Sequence, residues 1–153
     1  MSDSHSLDIK IQPAGRTAQA QIRAMIRAGR LNPLGLDWRR FLLAVDSCDT
    51  IVGCVQIRPH QDAARELASL YVRPDLRRRG VGERLVRAVL GREDPPLWLT
   101  CRGELTRYYQ RFGFEIVERA ADMPGYFRRV WGMFRFVRLF VGRNGELVVM
   151  RWS

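Results

Sequence analysis

The sequence predicts an α/β (α+β) fold on a mixed, mostly antiparallel central sheet of six to seven strands flanked by helices. Three observations lead there. Apolar runs of strand length alternate with stretches of helical periodicity from residue 9 to residue 150. The early strands are joined by a tight turn and the later ones are separated by helices, so hairpins and crossovers share one sheet. A chain of 153 residues with 46% apolar content can bury one core of ordinary size and is too short for two typical domains.

Residues 9–13 form a short extended piece. Residues 17–29 carry Ile22, Met25 and Ile26 at i, i+3 and i+4, one face of a helix that Asn32-Pro33 ends. Residues 41–45 and 51–57 are apolar runs separated by Asp46-Ser47-Cys48-Asp49, a spacing and composition suited to an antiparallel hairpin. Residues 67–73 read as a third strand, ended by Pro74. Residues 77–82 lead into a helix over 81–90, whose stripe is Leu85, Val86 and Val89. After Pro95-Pro96 come a buried-type strand over 97–101, a helix over 105–112 closed by Gly113, and strands over 114–117 and 147–150. No repeat, low-complexity tract or Gly/Ser linker interrupts the chain, so residues 1–153 are expected to be a single domain.

Twenty-six basic against 16 acidic residues give a net charge of +10, which attracts nucleic acid, anionic lipid or a phosphorylated cofactor without choosing among them. Only Lys10 is lysine; the arginines that make up the rest present a planar fork of donors suited to phosphate. Cys48, Cys54 and Cys101 cannot all pair, and two of them lie in apolar runs where a buried thiol is ordinary, which favours a reducing compartment. The first ten residues have neither a basic start nor an apolar segment, so no secretory signal or anchor is expected there, and the protein is expected in the cytoplasm. No metal is expected.

The stretch from Glu66 to Leu85 concentrates the chemistry. Gly80 and Gly82 remove side chains where a strand turns into a helix. Outward-facing amides and a partial positive charge at that helix start can receive a phosphate, and Arg77, Arg78 and Arg79 add full charges. A tight strand-to-helix turn needs the same glycines without any ligand. The dinucleotide fingerprint fits poorly, because Leu85 stands at its third glycine and Pro74 interrupts the preceding strand.

Arg77-Arg78-Arg79-Gly80-Val81-Gly82 resembles the acetyl-coenzyme A motif Q/R-x-x-G-x-G/A of the GNAT superfamily of N-acetyltransferases, which follows a strand ending in a V-x-P-like step. The strand before it, Leu70-Tyr71-Val72, and the element Tyr109-Gln110-Arg111-Phe112-Gly113-Phe114 resemble the family as well, and the order of elements fits it from residue 9 to residue 117. The resemblance implies a sheet that splays beside its central strand, with the pantetheine of acetyl-coenzyme A held by the backbone of Leu70, Tyr71 and Val72. It implies that the amides from Arg78 through Val81 and Gly82 to Glu83 hold the pyrophosphate. It further implies acetyl transfer to a primary amine of a small molecule or a protein, with Tyr109 as general acid toward the departing thiolate. Glu66 matches the base of some family members and acts through water in that reading. The alternatives at these positions are an amphipathic tyrosine packing its ring on the sheet, as its neighbour Tyr108 could, and an exposed strand-start carboxylate. Alternation places Glu66 on the strand face of Leu70 and Val72. His60, a lone histidine just past a strand, is expected in solvent with no role. The alternatives for the whole chain are an inactive acyl-coenzyme A-binding protein and a basic nucleic-acid-binding module. No recognised nucleic-acid motif appears, so no nucleic-acid partner is expected.

The segment over about 122–143 lies outside the resemblance. Its core, residues 126–141, sets Arg128, Arg129, Arg135 and Arg138 among aromatic and aliphatic residues, and is too short and too charged to span a bilayer. It reads as an extra element that covers the amine side of the cleft and completes the core, or as the interface of a homodimer.

Overall fold

The computed structural model describes residues 8–141 and 145–153, with the side chains of 137–141 left aside, so the expectations for residues 1–7 and for the Arg138 side chain fall outside it. Seven strands form one sheet: β1 (Lys10–Pro13), β2 (Phe41–Val45), β3 (Ile51–Pro59), β4 (Arg65–Val72), β5 (Leu97–Arg102), β6 (Phe114–Ile116) and β7 (Leu147–Trp152). Four α-helices accompany them: α1 (Gln19–Ala28), α2 (Val81–Leu90), α3 (Thr106–Gln110) and α4 (Gly125–Val141). The spatial order is β1-β2-β3-β4-β5-β7-β6, with β4 and β5 parallel and the ladders β1–β2, β2–β3, β5–β7 and β6–β7 antiparallel. β2 and α2 have the expected bounds. The expected helix over 105–112 is shorter: residues 103–105 form a 3-10 turn before α3.

The chain packs as two compact units, one gathering the chain up to Ile57 with Ser69–Arg92, the other Arg58–Ala68 with the chain from Glu93 onward. In the first, Ile22 and Ile26 of α1 bury against Phe41, Leu43, Val45, Cys54 and Tyr71. Phe41, Leu43 and Val45 sit at alternate positions of β2, as the pleat requires. Gly53 admits the close approach of β4, since a Cβ there would lie 2.8 Å from the Tyr71 carbonyl oxygen and 3.2 Å from Leu85 Cδ1.

In the second unit, Phe127 of α4 is fully buried with Trp98, Val149, Met123 and Ala64, its ring stacked on Trp98 at 5.6 Å. The first half of α4 therefore completes a core. Its continuation differs: Met133, Phe134 and Phe136 are exposed. Among the described residues no helix is long and apolar enough to cross a membrane. The three cysteines are free, and burial pushes the Cys54 thiol up to about 12 and that of Cys101 up to about 11.

Phe127→Ala should cost about 3–5 kcal/mol of unfolding free energy in a urea titration, because a fully buried ring leaves a cavity. Met133→Ala, at an exposed position of the same helix, should stay within about 0.5 kcal/mol of wild type.

Candidate active site

In the first unit, β4 ends at Val72 and the chain reverses through a 3-10 turn, Pro74–Leu76, anchored by buried Leu76. Arg73 closes this turn by pairing with Asp75 through Nε at 2.7 Å. Arg77 turns back: its Nε donates to the Val72 carbonyl at 2.9 Å, and its guanidinium lies 5.7 Å from the Tyr71 ring centroid. Arg78 takes a left-handed conformation (φ +62°) and Gly80 another (φ +82°), directly before Val81 begins α2. A left-handed cap is inexpensive only for glycine, and Gly80 is followed by the Arg84 N–H to Gly80 carbonyl bond that starts the helix.

Gly80 brings no capping side chain, and the space where its Cβ would stand is open. A helix start of this shape turns its first amides toward solvent. Arg77, Arg78 and Arg79 are exposed around it. The residues expected to bind a pyrophosphate thus form one basic cradle at the mouth of a ten-residue helix, and they fit such a group. Leu70 and Val72 are half-buried and Tyr71 is buried. The alternation expected from Glu66 to Leu70 and Val72 is not carried through β4, because Ser69 sits at φ +58° and interrupts the extended backbone. Its hydroxyl accepts a hydrogen bond from Gln56 Nε2 at 2.8 Å.

In the second unit, Glu66 is not an exposed strand-start carboxylate. It is 5% exposed, opposite Trp98 in the parallel β4–β5 ladder. Its Oε2 receives His60 Nε2 at 2.8 Å and lies 3.8 Å from Arg58, while Oε1 faces Thr100 Oγ1 at 3.5 Å. His60, expected in solvent, is instead half-buried with its side chain packed against Glu66, and its ring stacks on Tyr126 with centroids 3.6 Å apart. Tyr126 bonds Arg58 through its hydroxyl, and its phenol is raised by burial and by the nearby Glu66 charge. The sequence pattern assigns Arg58 and Tyr126 no part in the site and sets His60 aside; a basic residue and a histidine two apart at a strand end, with a glutamate six further on, were the signal available.

Tyr109, on α3, is buried with its ring edge-on to Tyr108 at 5.1 Å and to Phe114 at 6.0 Å. Burial, chiefly, pushes its phenol well above the ordinary value of 10.0, so it remains protonated across neutral pH. The half-buried ring beside it is Tyr108.

The loop between β3 and β4 grips the start of α4. Asp62 Oδ2 accepts the Tyr126 N–H at 3.0 Å and Oδ1 accepts the Ala64 N–H at 3.1 Å. The Tyr126 hydrogen bond is the largest cause holding the Asp62 carboxyl below the ordinary value of 3.8.

Comparison with known proteins adds the following. The family model of the acetyltransferase (GNAT) domain matches residues 37–116. A mycothiol acetyltransferase of Mycobacterium sp. (strain JLS) is 35% identical over 97 residues, 61% of this chain and 32% of that protein. The chain thus spans about a third of the length of the curated relatives it matches. N-acetylglutamate synthase from Neisseria gonorrhoeae, complexed with coenzyme A and N-acetyl-glutamate, has a similar structure (TM-score 0.70, 19% identity, 95% of this chain and 35% of that chain). So does a Mycobacterium tuberculosis protein in complex with CoA (TM-score 0.68, 17% identity, 94% of this chain and 98% of that chain). At these identities the structural likeness concerns the fold.

A depressed carboxyl contributes stability that is present above its unfolded pKa and lost as pH falls through the folded one. Asp62→Ala should therefore lower stability by about 1 kcal/mol at pH 7, as loss of a helix-start acceptor does, and the deficit should shrink as pH falls below 3.8. Asp62→Asn should keep most of the stability at pH 7, and thermal melts across the acid range read both variants.

Proposed function

The chain belongs to the acetyltransferase (GNAT) family, and from that premise we propose that it transfers acetyl from acetyl-coenzyme A to a primary amine by direct attack. The observation that carries the reading is the cradle at the start of α2, where Arg78 and Gly80 adopt left-handed conformations and expose helix amides among arginines. Backbone groups of Leu70, Tyr71 and Val72 hold the pantetheine arm, and the amides from Arg78 to Glu83 hold the pyrophosphate. The bound cosubstrate supplies the thioester that the amine attacks. No metal enters the proposal.

Two side chains move protons. An ammonium has no lone pair, so the acceptor must be deprotonated, and Glu66 takes that proton through water. The thiolate that departs must be neutralised, and Tyr109 is the general acid. Its raised pKa supports this role in one respect: the phenol is protonated across neutral pH and ready to donate, and the phenolate that the transfer leaves is reprotonated before the next turnover. The same property means that Tyr109 produces no falling alkaline limb in the ordinary range of a pH–rate profile. The reaction is placed in the cytoplasm, a reading supported by free thiols at Cys54 and Cys101.

Calorimetry tests the cradle. Gly82→Asp sets a carboxylate in the first turn of α2, so a variant with the wild-type circular dichroism spectrum should lose most of its coenzyme A affinity; unchanged affinity removes the cradle as the site. Thiol release from acetyl-coenzyme A, measured over a panel of small amines, polyamines and peptide N-termini, identifies the acceptor class. With the best acceptor of that panel, Tyr109→Phe should lower turnover by about 100- to 10,000-fold at nearly constant coenzyme A affinity, whereas Tyr108→Phe should do little. Full turnover in Tyr109→Phe with chemistry rate-limiting would return protonation of the thiolate to solvent.

A further inference from the structure

Glu66 is too deeply buried to be held by the strand alone. A carboxylate removed from water needs charge and hydrogen-bond partners, and those it has are shared out unevenly between its two oxygens. Oε2 takes both His60 at 2.8 Å and Arg58 at 3.8 Å. Oε1 faces Thr100 Oγ1 at 3.5 Å, long for an O–H···O bond, and so retains accepting capacity.

The partners are themselves held, and by one residue. The His60 ring lies on the Tyr126 ring, 3.6 Å between centroids and 18° from parallel, with Phe127 edge-on at 5.5 Å. The Tyr126 hydroxyl bonds Arg58, and the Tyr126 N–H is fixed by Asp62 at 3.0 Å. The contacts close a circuit from Glu66 to His60 to Tyr126 to Arg58 and back to Glu66. Tyr126 stands in the first turn of α4, beyond the matched family domain at 37–116.

We infer that His60 and Tyr126 are positioning residues for Glu66, with α4 serving as the clamp that presents the Oε1 oxygen to the water through which it takes the acceptor's proton. The inference rests on the reading of Glu66 as the base. His60 occupies Oε2 and fixes the carboxylate plane, and the stack on Tyr126 fixes His60. Neither positioning side chain touches a reacting atom. The charged and titratable groups that face His60 are Glu66, Arg58, Tyr126 and, by its charge, Asp62. A change at His60 therefore alters the field at Glu66 along with its orientation.

Substitutions separate the parts. Glu66→Gln tests the base. His60→Phe keeps a flat ring on Tyr126 and removes the N–H, whereas His60→Gln keeps an N–H of similar reach and gives up the ring. Tyr126→Leu removes the stack. With acetyl-coenzyme A and the best amine of the panel, His60→Phe should lower kcat by about 10- to 100-fold, the scale of a misplaced catalytic group, at unchanged KM for acetyl-coenzyme A. It should also displace the acid limb of the kcat/KM profile. His60→Gln should recover most of the loss, and Tyr126→Leu should fall with His60→Phe. Should His60→Phe fail to fold by circular dichroism, Tyr126→Leu, checked the same way, carries the test. Wild-type kcat in the His60→Phe or Tyr126→Leu variant, or an unmoved acid limb, overturns the inference while an impaired Glu66→Gln leaves the base reading standing. Full turnover in Glu66→Gln with chemistry rate-limiting removes the base reading, and the inference with it.

Discussion

A carboxylate withdrawn from water obliges its surroundings to supply charge and donors, and Glu66 imposes that obligation on everything packed about it. Arg58 and His60 come from the end of β3 and the loop beyond it, Thr100 from β5 and Tyr126 from α4, so three separate stretches of chain gather around one side chain. Breaking such a set by removing one member leaves the others buried without compensation, which is why its members are expected to hold their geometry tightly. The apolar packing of Phe127 on Trp98, the residue opposite Glu66 in the ladder, surrounds the polar set with ring surface and limits the ways it can rearrange.

The first unit solves a different problem with backbone. Its turn uses two left-handed residues in three positions, Arg78 and Gly80, to lead a strand into a helix whose cap residue brings no side chain to the first amides. An arginine at positive φ is unfavourable for its side chain, and it is accepted beside a glycine that is not. Arg77 is tied to the Val72 carbonyl and lies over Tyr71, so its guanidinium helps to hold the turn.

Much of this was legible in the residues. β2 and α2 were readable to their ends because hydrophobic period and glycine or proline punctuation coincide there, and the cradle was readable because its residues are neighbours in the chain. The polar cluster was not. His60 meets Glu66 only when the β3–β4 connection folds back, and it meets Tyr126 only when a helix sixty-odd positions later docks, neither of which leaves a local pattern. Ser69 was equally opaque: serine signals no left-handed backbone, so period-two alternation ran through it on paper and stops there in the fold. The segment after β6 was misleading in the other direction, since its aromatics looked alike in the sequence while the structure buries Phe127 and exposes Phe134 and Phe136.

β7 is the last strand in chain order and yet lies between β5 and β6. β5 can join β4 as it forms, but its other edge and the whole of β6 wait on residues 147–152. The long connection that contains α4 has to be made first, and closing it carries the loop-entropy cost of any distant contact. Until those residues pair, β5 keeps one open edge and β6 has no partner, the kind of surface that chaperones cover and that aggregates exploit. Completion of this half of the sheet is consequently a late folding event, in which α4 and the strand that follows it are placed together.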